Sequence, residues 1–288
     1  MAAQRMEGQV VAEAVFADLK KRIGQLKERG VTPGLGTILV GDDAPSRSYV
    51  KKKHETSEAI GVRSFHKDIP ANATQAELLA AIDDFNADDE VSAFILQYPL
   101  PSGFDFGEAM RRVDPAKDAD GLHPTNLGRL VLQEPGPVPC TPAGIKAMLE
   151  HYQVDIKGRE VVVVGRGPTL GRPLSLLLSS KAQGANAAVT VVHSGVSDIA
   201  HYTRRADIVI AAVGRPSIIT KDMIKPGAVV VSGGISWQGK RLLPDVDEQV
   251  SEVASLMTKR LGGVGPTTVA MLLKNTVEAA ENTLEAQE

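Results

Sequence analysis

Tyr49 and Lys53 pair an aromatic ring with an amine at a spacing of four residues, in a stretch with a helical pattern. This spacing places both side chains on one face of a helix, where the ring can shield the amine and stack on a flat substrate. The neighbouring cations Lys51 and Lys52, together with burial, would push a lysine toward the neutral form that a general base needs near neutral pH. A basic, solvated helix face has the same spacing, so the pattern alone leaves both interpretations open.

A second candidate is the carboxylate-rich segment 114–124, with the sequence DPAKDADGLHP. Its carboxylates could ligate a cation, although the other positions of a calcium-binding loop are missing, and a helix-capping loop has the same composition. A carboxylate can also accept paired hydrogen bonds from the 2-aminopyrimidine edge of a pterin, which fixes the orientation of that ring. The composition leaves these three interpretations open.

The third candidate is a glycine-rich turn at 165–171, GRGPTLG, which follows an apolar run and precedes a helical pattern. Gly165, Gly167 and Gly171 give the spacing G-x-G-x-x-x-G, one residue longer than the usual dinucleotide fingerprint. Residues without a Cβ let the backbone approach a pyrophosphate, and the helix N-terminus offers unpaired N–H groups. The turn therefore predicts a dinucleotide site, with a tight turn that binds no nucleotide as the alternative.

The end of the next predicted strand indicates which dinucleotide binds, because an acidic residue there would accept a hydrogen bond from the ribose of NAD. His193 and Ser194 stand at this place, and no acid is present. Arg166 in the glycine turn could pair with a 2′-phosphate, so NADP is favoured over NAD. A solvated surface is the alternative role for Arg166 and His193.

Alternating elements position the candidates in the first half of the chain. A capping box at 74–77 opens one helix, and Ser46 is available to cap another. Helices are predicted at 10–29, 47–60 and 74–85, and strands at 36–40, 62–67 and 91–96. This β-α-β-α-β pattern predicts a mostly parallel sheet, with Gln97 at a strand end where ligands gather.

A domain boundary is expected near residue 140. Four prolines at 135, 137, 139 and 142 interrupt the pattern there, and Thr141 can cap a helix that has Pro142 in its first position. A second α/β unit follows, with strands at 159–164, 188–192, 208–213 and 228–231, a helix at 172–181 and a long amphipathic helix from about residue 268. The sequence thus predicts the α/β class with two domains.

Composition limits the remaining possibilities. The chain has 288 residues, 43% hydrophobic and 23% charged, which is sufficient for two globular domains. A net charge of −3 without long blocks of one sign gives no electrostatic reason to expect a nucleic-acid or membrane partner. The single cysteine, Cys140, and six histidines without ligand spacing lead us to expect neither a disulfide nor a metal site. Without an apolar signal segment or a run of about 18 apolar residues, a cytoplasmic protein is expected.

Taken together and in order, the motifs resemble the bifunctional methylenetetrahydrofolate dehydrogenase/methenyltetrahydrofolate cyclohydrolase family over nearly the whole chain. The matching motifs are SYVxxK at 48–53, LQYPLP at 96–101, KDADG at 117–121, PCTP at 139–142, the glycine turn with GRP at 171–173, and GGVGPTTVA at 262–270. The resemblance implies oxidation of 5,10-methylenetetrahydrofolate with NADP+ and hydrolysis of the product to 10-formyltetrahydrofolate. It also implies a homodimer that acts in one-carbon metabolism and purine biosynthesis.

The resemblance implies a role for each matched residue. Lys53 is the implied catalytic lysine, Tyr49 and Gln97 are its active-site neighbours, and Asp120 orients the folate. The implied substrate-binding residues are Tyr49, Gln97, Leu100, Asp120, Gly263 and Pro266. The implied cofactor-binding residues are Gly165, Arg166, Gly167, Gly171, His193, Ser194 and Ile235, with Arg166 and Ser194 at the 2′-phosphate of NADP.

The resemblance also implies the domain limits. A catalytic, folate-binding domain at 1–140 would be completed by 267–288, and a Rossmann-like, NADP-binding domain would occupy 141–266. The last helix would then return to the first domain.

The chain departs from the family pattern at three places. Ser232 stands where the family commonly has an aspartate, Ser236 stands where it has an asparagine, and MTKRL at 257–261 replaces a proline-rich lead. These places lie near the predicted cofactor or its closing loop. We therefore expect them to affect the dehydrogenase rate and cofactor choice more than the lysine chemistry.

The sequence is also compatible with two other functions. One is another NAD(P)-dependent dehydrogenase that acts on a small acid or amino acid. A keto-acid enzyme would need an arginine-and-histidine site, for which the sequence offers only the isolated His123. A folate- or nucleotide-binding protein without catalysis would not need Tyr49, Lys53, Gln97 and Asp120 together.

Overall fold

The structure, a computed structural model, describes residues 2–238 and 241–287. Residues 1, 239, 240 and 288 fall inside the predicted domain ranges but lie outside the described residues. The chain folds as two compact units. We call Ala14–Val138 with Val269–Glu288 the N-terminal unit, and Met1–Glu13 with Pro139–Thr268 the C-terminal unit.

The described helices are α1 (Gly8–Glu28), α2 (Ala44–Ile60), α3 (Gln75–Ala87), α4 (Phe106–Arg112), α5 (Pro124–Leu132), α6 (Cys140–His151), α7 (Gly171–Ser179), α8 (Ala200–Thr203) and α9 (Val264–Gln287). Short 3₁₀ turns lie at Pro115–Lys117, Lys221–Met223 and Glu248–Glu252. The described strands are β1 (Gln4–Met6), β2 (Gly34–Val40), β3 (Arg63–Ile69), β4 (Ala93–Leu96), β5 (Glu160–Val164), β6 (Ala188–Val192), β7 (Ile208–Ala211), β8 (Val229–Ser232), β9 (Ile235–Gln238), β10 (Arg241–Pro244) and β11 (Leu256–Thr258). None of these helices combines the length and the apolar character needed to cross a membrane.

The N-terminal unit is built on a three-stranded parallel sheet in the order β3-β2-β4, which confirms the predicted parallel sheet. Every residue of the central strand β2 is buried, as expected for a parallel strand covered on both faces. Ile38 of this strand packs in one core with Phe85 of α3 and Phe94 of β4. The sheet therefore holds the ends of β2 and β4 side by side.

Helix α2 begins one turn earlier than predicted, and its cap differs. Asp43, rather than Ser46, is the N-cap, because its carboxylate accepts hydrogen bonds from the Ser46 backbone N–H at 2.9 Å and from the Ser46 hydroxyl at 2.7 Å. These bonds hold the pKa of the Asp43 carboxyl below its ordinary value. At the other end Gly61 adopts φ +95°, as the predicted glycine stop requires. The capping box of α3, between Thr74 and Glu77, is confirmed.

The C-terminal unit contains a six-stranded parallel sheet in the order β1-β11-β8-β7-β5-β6, and β9 and β10 form a separate antiparallel pair. The chain runs from β5 to its neighbour β6 and then to β7 on the other side of β5. This reversal is the switch point at which doubly wound sheets bind ligands. Strand β1 pairs with β11, which explains why residues before Ala14 group with this unit rather than with the rest of 1–140.

Two further predicted helix starts differ from the structure. Thr141 does not cap α6: the N-cap is Pro139, without a side-chain cap bond, and the Thr141 hydroxyl instead lies 3.2 Å from that of Thr268. Helix α9 begins at Val264 rather than near Thr268. From Val269 onward it groups with the N-terminal unit, as the predicted return of the last helix requires.

Candidate active site

The buried face of α2 positions Lys53. The buried residues of this helix are Ser46, Val50, Lys53, Ser57 and Ile60, at intervals of three and four that define one helical face. Lysine is seldom buried unless it is paired, yet the Lys53 side chain is only 7% exposed. The basic, solvated helix face considered above is therefore wrong for Lys53, and correct only for its exposed neighbours Lys51 and Lys52.

Lys53, Gln97 and Tyr49 come together as the sequence predicts. The Lys53 ammonium nitrogen donates a 3.0 Å hydrogen bond to Gln97 Oε1 and lies 5.9 Å from the centroid of the Tyr49 ring. Gln97 follows β4, and its backbone N–H donates to the carbonyl oxygen of Ile38 at 2.9 Å. The sheet thus fixes the amide that orients the lysine.

Tyr49 offers a ring surface and a protonated hydroxyl. Its side chain is 37% exposed, so part of the ring is accessible to a ligand. Burial of the rest raises the pKa of the phenol above its ordinary value, and the hydroxyl therefore stays protonated near neutral pH. A flat ligand stacked on this ring would lie next to the Lys53 amine.

The carboxylate-rich segment is organised by Asp118. This carboxylate is 2% exposed and accepts hydrogen bonds from the backbone N–H of Gly121 at 3.0 Å, the backbone N–H of His123 at 2.7 Å and the side-chain amide of Asn126 at 2.9 Å. Both of its oxygens are therefore engaged by N–H donors, which contradicts the cation-binding interpretation for this carboxylate. Within the described part of the chain, no group of three or more His, Cys, Asp or Glu residues could hold a metal ion.

Asp120 is half-buried and lies in the loop that Asp118 folds. The loop runs parallel to β4 from a bridge between Phe94 and Asp118, and the backbone N–H of Ala119 donates to Phe94 O at 3.2 Å. Asp120, two residues beyond this bridge, therefore lies toward the end of β4 that is followed by Gln97. Leu100 is half-buried and packs against the core of the same unit.

Lys117 anchors the start of this loop. Its ammonium nitrogen donates to the carbonyl oxygens of Phe85 at 3.1 Å and Asp88 at 2.7 Å, at the end of α3. Burial lowers its pKa below the ordinary value. Sequence reasoning missed the roles of Lys117 and Asp118, although both lie in the KDADG motif, because spacing does not reveal which carboxylate turns inward.

The glycine turn has the geometry expected at a dinucleotide site. Gly165 adopts φ +124°, and a Cβ there would overlap the carbonyl oxygen of Ala212. A Cβ at Gly171 would in turn overlap the carbonyl oxygen of Gly165, whereas one at Gly167 would meet nothing within 4 Å. The turn is thus closed on its protein side and open at Gly167, as a backbone approached by a phosphate requires.

The residues predicted to determine the specificity for NADP over NAD follow two paired strands. Val164 of β5 pairs with Val192 of β6, so Arg166 and Ser194 leave the sheet at the same edge. Both residues are exposed, and His193 is half-buried with its Nδ1 accepting from the Gly195 backbone N–H at 3.0 Å. This sheet edge carries the Arg166 cation after β5 and the Ser194 hydroxyl after β6, and neither His193 nor Ser194 is a carboxylate.

The three places that depart from the family pattern lie in ordered parts of the C-terminal unit. Ser232 ends β8, where its backbone N–H donates to the Thr258 hydroxyl at 2.9 Å. The Ser236 hydroxyl oxygen is buried without a hydrogen-bond partner in the described part of the chain. Residues 256–258 form β11, and Lys259 pairs with Glu7 at 2.7 Å. The replaced proline-rich lead is therefore an ordered strand and its continuation.

Three further predicted residues belong to the C-terminal unit. Ile235 begins β9 and is 40% exposed. Gly263 is buried, and a Cβ there would overlap the carbonyl oxygen of Lys259. Pro266 lies in the first turn of α9, where its missing N–H costs no helical hydrogen bond. The assignment of Gly263 and Pro266 to folate remains a prediction.

Comparisons with known proteins cover both units. The tetrahydrofolate dehydrogenase/cyclohydrolase catalytic domain matches residues 6–120, and the NAD(P)-binding domain of the same description matches residues 139–284. A curated relative, the bifunctional protein FolD of Syntrophotalea carbinolica, is 69% identical over 281 residues, which cover 98% of this chain and 97% of the relative.

Solved structures agree with this match. The bifunctional enzyme FolD of Campylobacter jejuni has a TM-score of 0.93 at 38% identity, covering 98% of this chain and 100% of its own. The methylenetetrahydrofolate dehydrogenase-cyclohydrolase of Trypanosoma brucei, solved with NADP and an inhibitor, has a TM-score of 0.93 at 36% identity and covers 99% of each chain.

Proposed function

Because this chain belongs to the tetrahydrofolate dehydrogenase/cyclohydrolase family, we propose that Lys53, Tyr49, Gln97 and Asp120 form its folate site and that the turn at 165–171 binds its NADP. The enzyme oxidises 5,10-methylenetetrahydrofolate to 5,10-methenyltetrahydrofolate with NADP+ and hydrolyses this product to 10-formyltetrahydrofolate. The observation that carries the site assignment is the buried amine of Lys53 held by the Gln97 amide.

Hydrolysis needs proton transfer at one carbon. Water adds to the carbon that bridges the two folate nitrogens, the bond from this carbon to the ring nitrogen breaks, and one proton is released overall. Lys53 is suited to accept the proton of the attacking water and to return one to the departing nitrogen. Gln97 accepts from the amine through a neutral oxygen, so it orients Lys53 without adding a charge.

Substrate orientation falls to Tyr49 and Asp120. The accessible part of the Tyr49 ring can stack on the pterin, which places the bridging carbon near Lys53. The Asp120 carboxylate can accept paired hydrogen bonds from the 2-aminopyrimidine edge. Stacking on Tyr49 fixes the plane of the pterin ring, and the hydrogen bonds to Asp120 fix its rotation within that plane. This orientation before the reaction lowers the entropy cost of reaching the transition state.

The dinucleotide, when bound, supplies the hydride acceptor for the oxidative step. Gly165, Gly167 and Gly171 let the backbone approach its pyrophosphate, and the close contacts at Gly165 and Gly171 and the open space at Gly167 fit this role. Arg166 and the Ser194 hydroxyl are suited to the 2′-phosphate, because they follow the paired ends of β5 and β6. Neither His193 nor Ser194 is a carboxylate that would repel this phosphate.

We further propose a cytoplasmic homodimer that acts in one-carbon metabolism and purine biosynthesis, without a nucleic-acid or membrane partner. The family resemblance supports the homodimer and the pathway, and the net charge of −3 supports the absence of polyanionic partners. Light scattering of the purified protein tests the dimer: a mass of twice 30.5 kDa is expected, and a monomeric mass at micromolar concentration would contradict it.

A spectroscopic assay with methylenetetrahydrofolate tests the function as a whole. With NADP+, near-ultraviolet absorbance of the methenyl product should rise and then decay faster than the uncatalysed hydrolysis. If supplied methenyltetrahydrofolate is hydrolysed but none is formed from methylenetetrahydrofolate, the proposed cofactor site is wrong. If neither reaction is accelerated, the proposed enzymatic function is wrong. The simultaneous presence of Tyr49, Lys53, Gln97 and Asp120 supports catalysis over binding alone.

A further inference from the structure

Asp245 is a buried carboxylate that the proposed chemistry does not use. It follows β10 and is 0% exposed. Its Oδ2 accepts hydrogen bonds from the backbone N–H groups of Val213 at 2.7 Å and Gly214 at 3.0 Å, both in the segment that follows β7. Since burying a carboxylate is costly, a residue of this kind calls for an explanation beyond packing.

Asp245 also contacts the segment that follows β8. The backbone N–H of Asp245 donates to the carbonyl oxygen of Gly234 at 3.3 Å. A Cβ at Gly234 would overlap Asp245 Oδ2 and lie 2.6 Å from the Gly214 nitrogen. Glycine at this position therefore leaves the space that the carboxylate occupies, and three segments of the C-terminal unit meet at Asp245.

These segments border the switch point of the six-stranded sheet. The switch point lies between the ends of β5 and β7, where a Cβ on Gly165 would overlap the carbonyl oxygen of Ala212. Residues 212–214 therefore lie against the glycine turn and form the adjacent wall of the proposed cofactor crevice. Val213 on this wall and Ile235 beyond Gly234 are 43% and 40% exposed, which gives the wall an apolar, accessible rim.

We propose that Asp245 is a positioning residue for the dinucleotide, because its hydrogen bonds to Val213 and Gly214 fix the wall of the cofactor crevice. The inference rests on the proposed NADP site. It extends that site to a residue that touches no ligand and acts through the backbone of its neighbours.

One oxygen of Asp245 carries this role. Oδ2 accepts the bonds from Val213 and Gly214, and the backbone N–H of Arg215 adds a further stabilising contact to the carboxylate. Burial raises the pKa of the carboxyl, against the lowering effect of the backbone hydrogen bonds. An amide keeps one acceptor oxygen of the same shape, so asparagine should replace aspartate in this position.

The test compares Asp245→Ala with Asp245→Asn. Loss of the acceptor in the alanine variant should raise the KM for NADP+ about tenfold or more, the effect of losing about 1.4 kcal/mol of binding energy. The asparagine variant should stay within about threefold of the wild type. The cyclohydrolase reaction needs no cofactor, so its rate and its folate KM should change by less than about twofold in both variants. Asp247→Ala is the matched control, because the Asp247 side chain caps the 3₁₀ turn at Glu248–Glu252.

Three results would overturn the proposal. They are an unchanged NADP+ KM in Asp245→Ala, an asparagine variant as impaired as alanine, and equal losses of both activities, which would indicate a purely structural role. If the alanine variant does not fold, Asp245→Leu gives the same comparison, since leucine fills the space without an acceptor. Wild-type protein without any NADP-dependent oxidation would instead contradict the proposed function itself.

Discussion

The Lys53 ammonium nitrogen donates a 3.0 Å hydrogen bond to Gln97 Oε1, and this bond joins helix α2 to the residue that follows strand β4. The Gln97 amide also donates to the carbonyl oxygen of Tyr98 at 2.8 Å, which fixes which of its ends faces the lysine. An amide carries no charge in the working pH range. The lysine is therefore held in place while its own protonation can change during the reaction.

A carboxylate at position 97 should alter the pH dependence of hydrolysis. In Gln97→Glu a negative charge would lie near Lys53 and raise its pKa, because an opposite charge favours the protonated amine. Since the proposed base is the neutral amine, the rise of the cyclohydrolase rate should move to higher pH by about one unit. The pH–rate profile of methenyltetrahydrofolate hydrolysis measures this shift. Gln249→Glu, an exposed site with the same charge change, is the control, and a profile that coincides with the wild type would refute the role.

An acid at the end of β6 should change the cofactor preference. In Ser194→Asp the new carboxylate would repel a 2′-phosphate and accept from the ribose hydroxyl of NAD. We expect the ratio of kcat/KM for NADP+ to that for NAD+ to fall about tenfold or more, with an unchanged cyclohydrolase rate. Ser197→Asp, also exposed and three residues further on, is the control. An unchanged ratio would place the 2′-phosphate elsewhere.

Removal of the Asp118 carboxylate should destabilise the protein and weaken folate binding. Asp118→Ala would leave the N–H groups of Gly121, His123 and Asn126 without this acceptor. The free energy of unfolding should fall by about 3 kcal/mol. Denaturant titration measures it, together with the folate KM, which should rise because the loop also carries Asp120. Asp114→Ala, at an exposed residue that caps a 3₁₀ turn, should cost less than about 1 kcal/mol. Equal losses in both variants would contradict the role of Asp118.

His54 should make the protein less stable in acid. Burial lowers its pKa most and His66 lowers it further; Glu58 partly opposes them, and Lys53 makes the smallest lowering contribution. The unfolded chain thus binds a proton at a pH where the folded chain does not, so the contribution of His54 is complete above a pH of about 6.5 and is lost below it. In His54→Gln the free energy of unfolding should fall less steeply between pH 7 and 5. The control is His201→Gln, at an exposed histidine, which should keep the wild-type dependence of unfolding free energy on pH. A wild-type dependence in His54→Gln as well would contradict the role of His54.

The elements that hold the chemistry were predictable from the sequence wherever a strong local signal exists. The capping box of Thr74 and Glu77 and the glycine stop at Gly61 are such signals, and both are confirmed. Strands β1 and β11 contain three residues each, which is too short for a periodic pattern, and their pairing is non-local. No local signal could show that the start of the chain joins the sheet of the C-terminal unit.

Within the site, residue types were more predictable than directions. The spacing of Tyr49 and Lys53 gave the shared face but could not show whether that face is buried. Likewise Asp43 and Ser46 are both good caps, and only the backbone path of the turn makes Asp43 the acceptor. Asp245 had no motif at all, because its role depends on three segments that meet only in the folded unit.

Hydrolysis of methenyltetrahydrofolate by Lys53→Met tests the central claim most directly. Rapid mixing of enzyme with the supplied substrate, corrected for the uncatalysed reaction, isolates the cyclohydrolase step from the cofactor. Methionine keeps an unbranched chain in the buried position but removes the amine, so the rate should fall by a factor of about 100 or more. Lys20→Met, at an exposed lysine of helix α1, should stay within about twofold of the wild type. If Lys53→Met hydrolyses the substrate at the wild-type rate, the buried lysine is not the catalytic group.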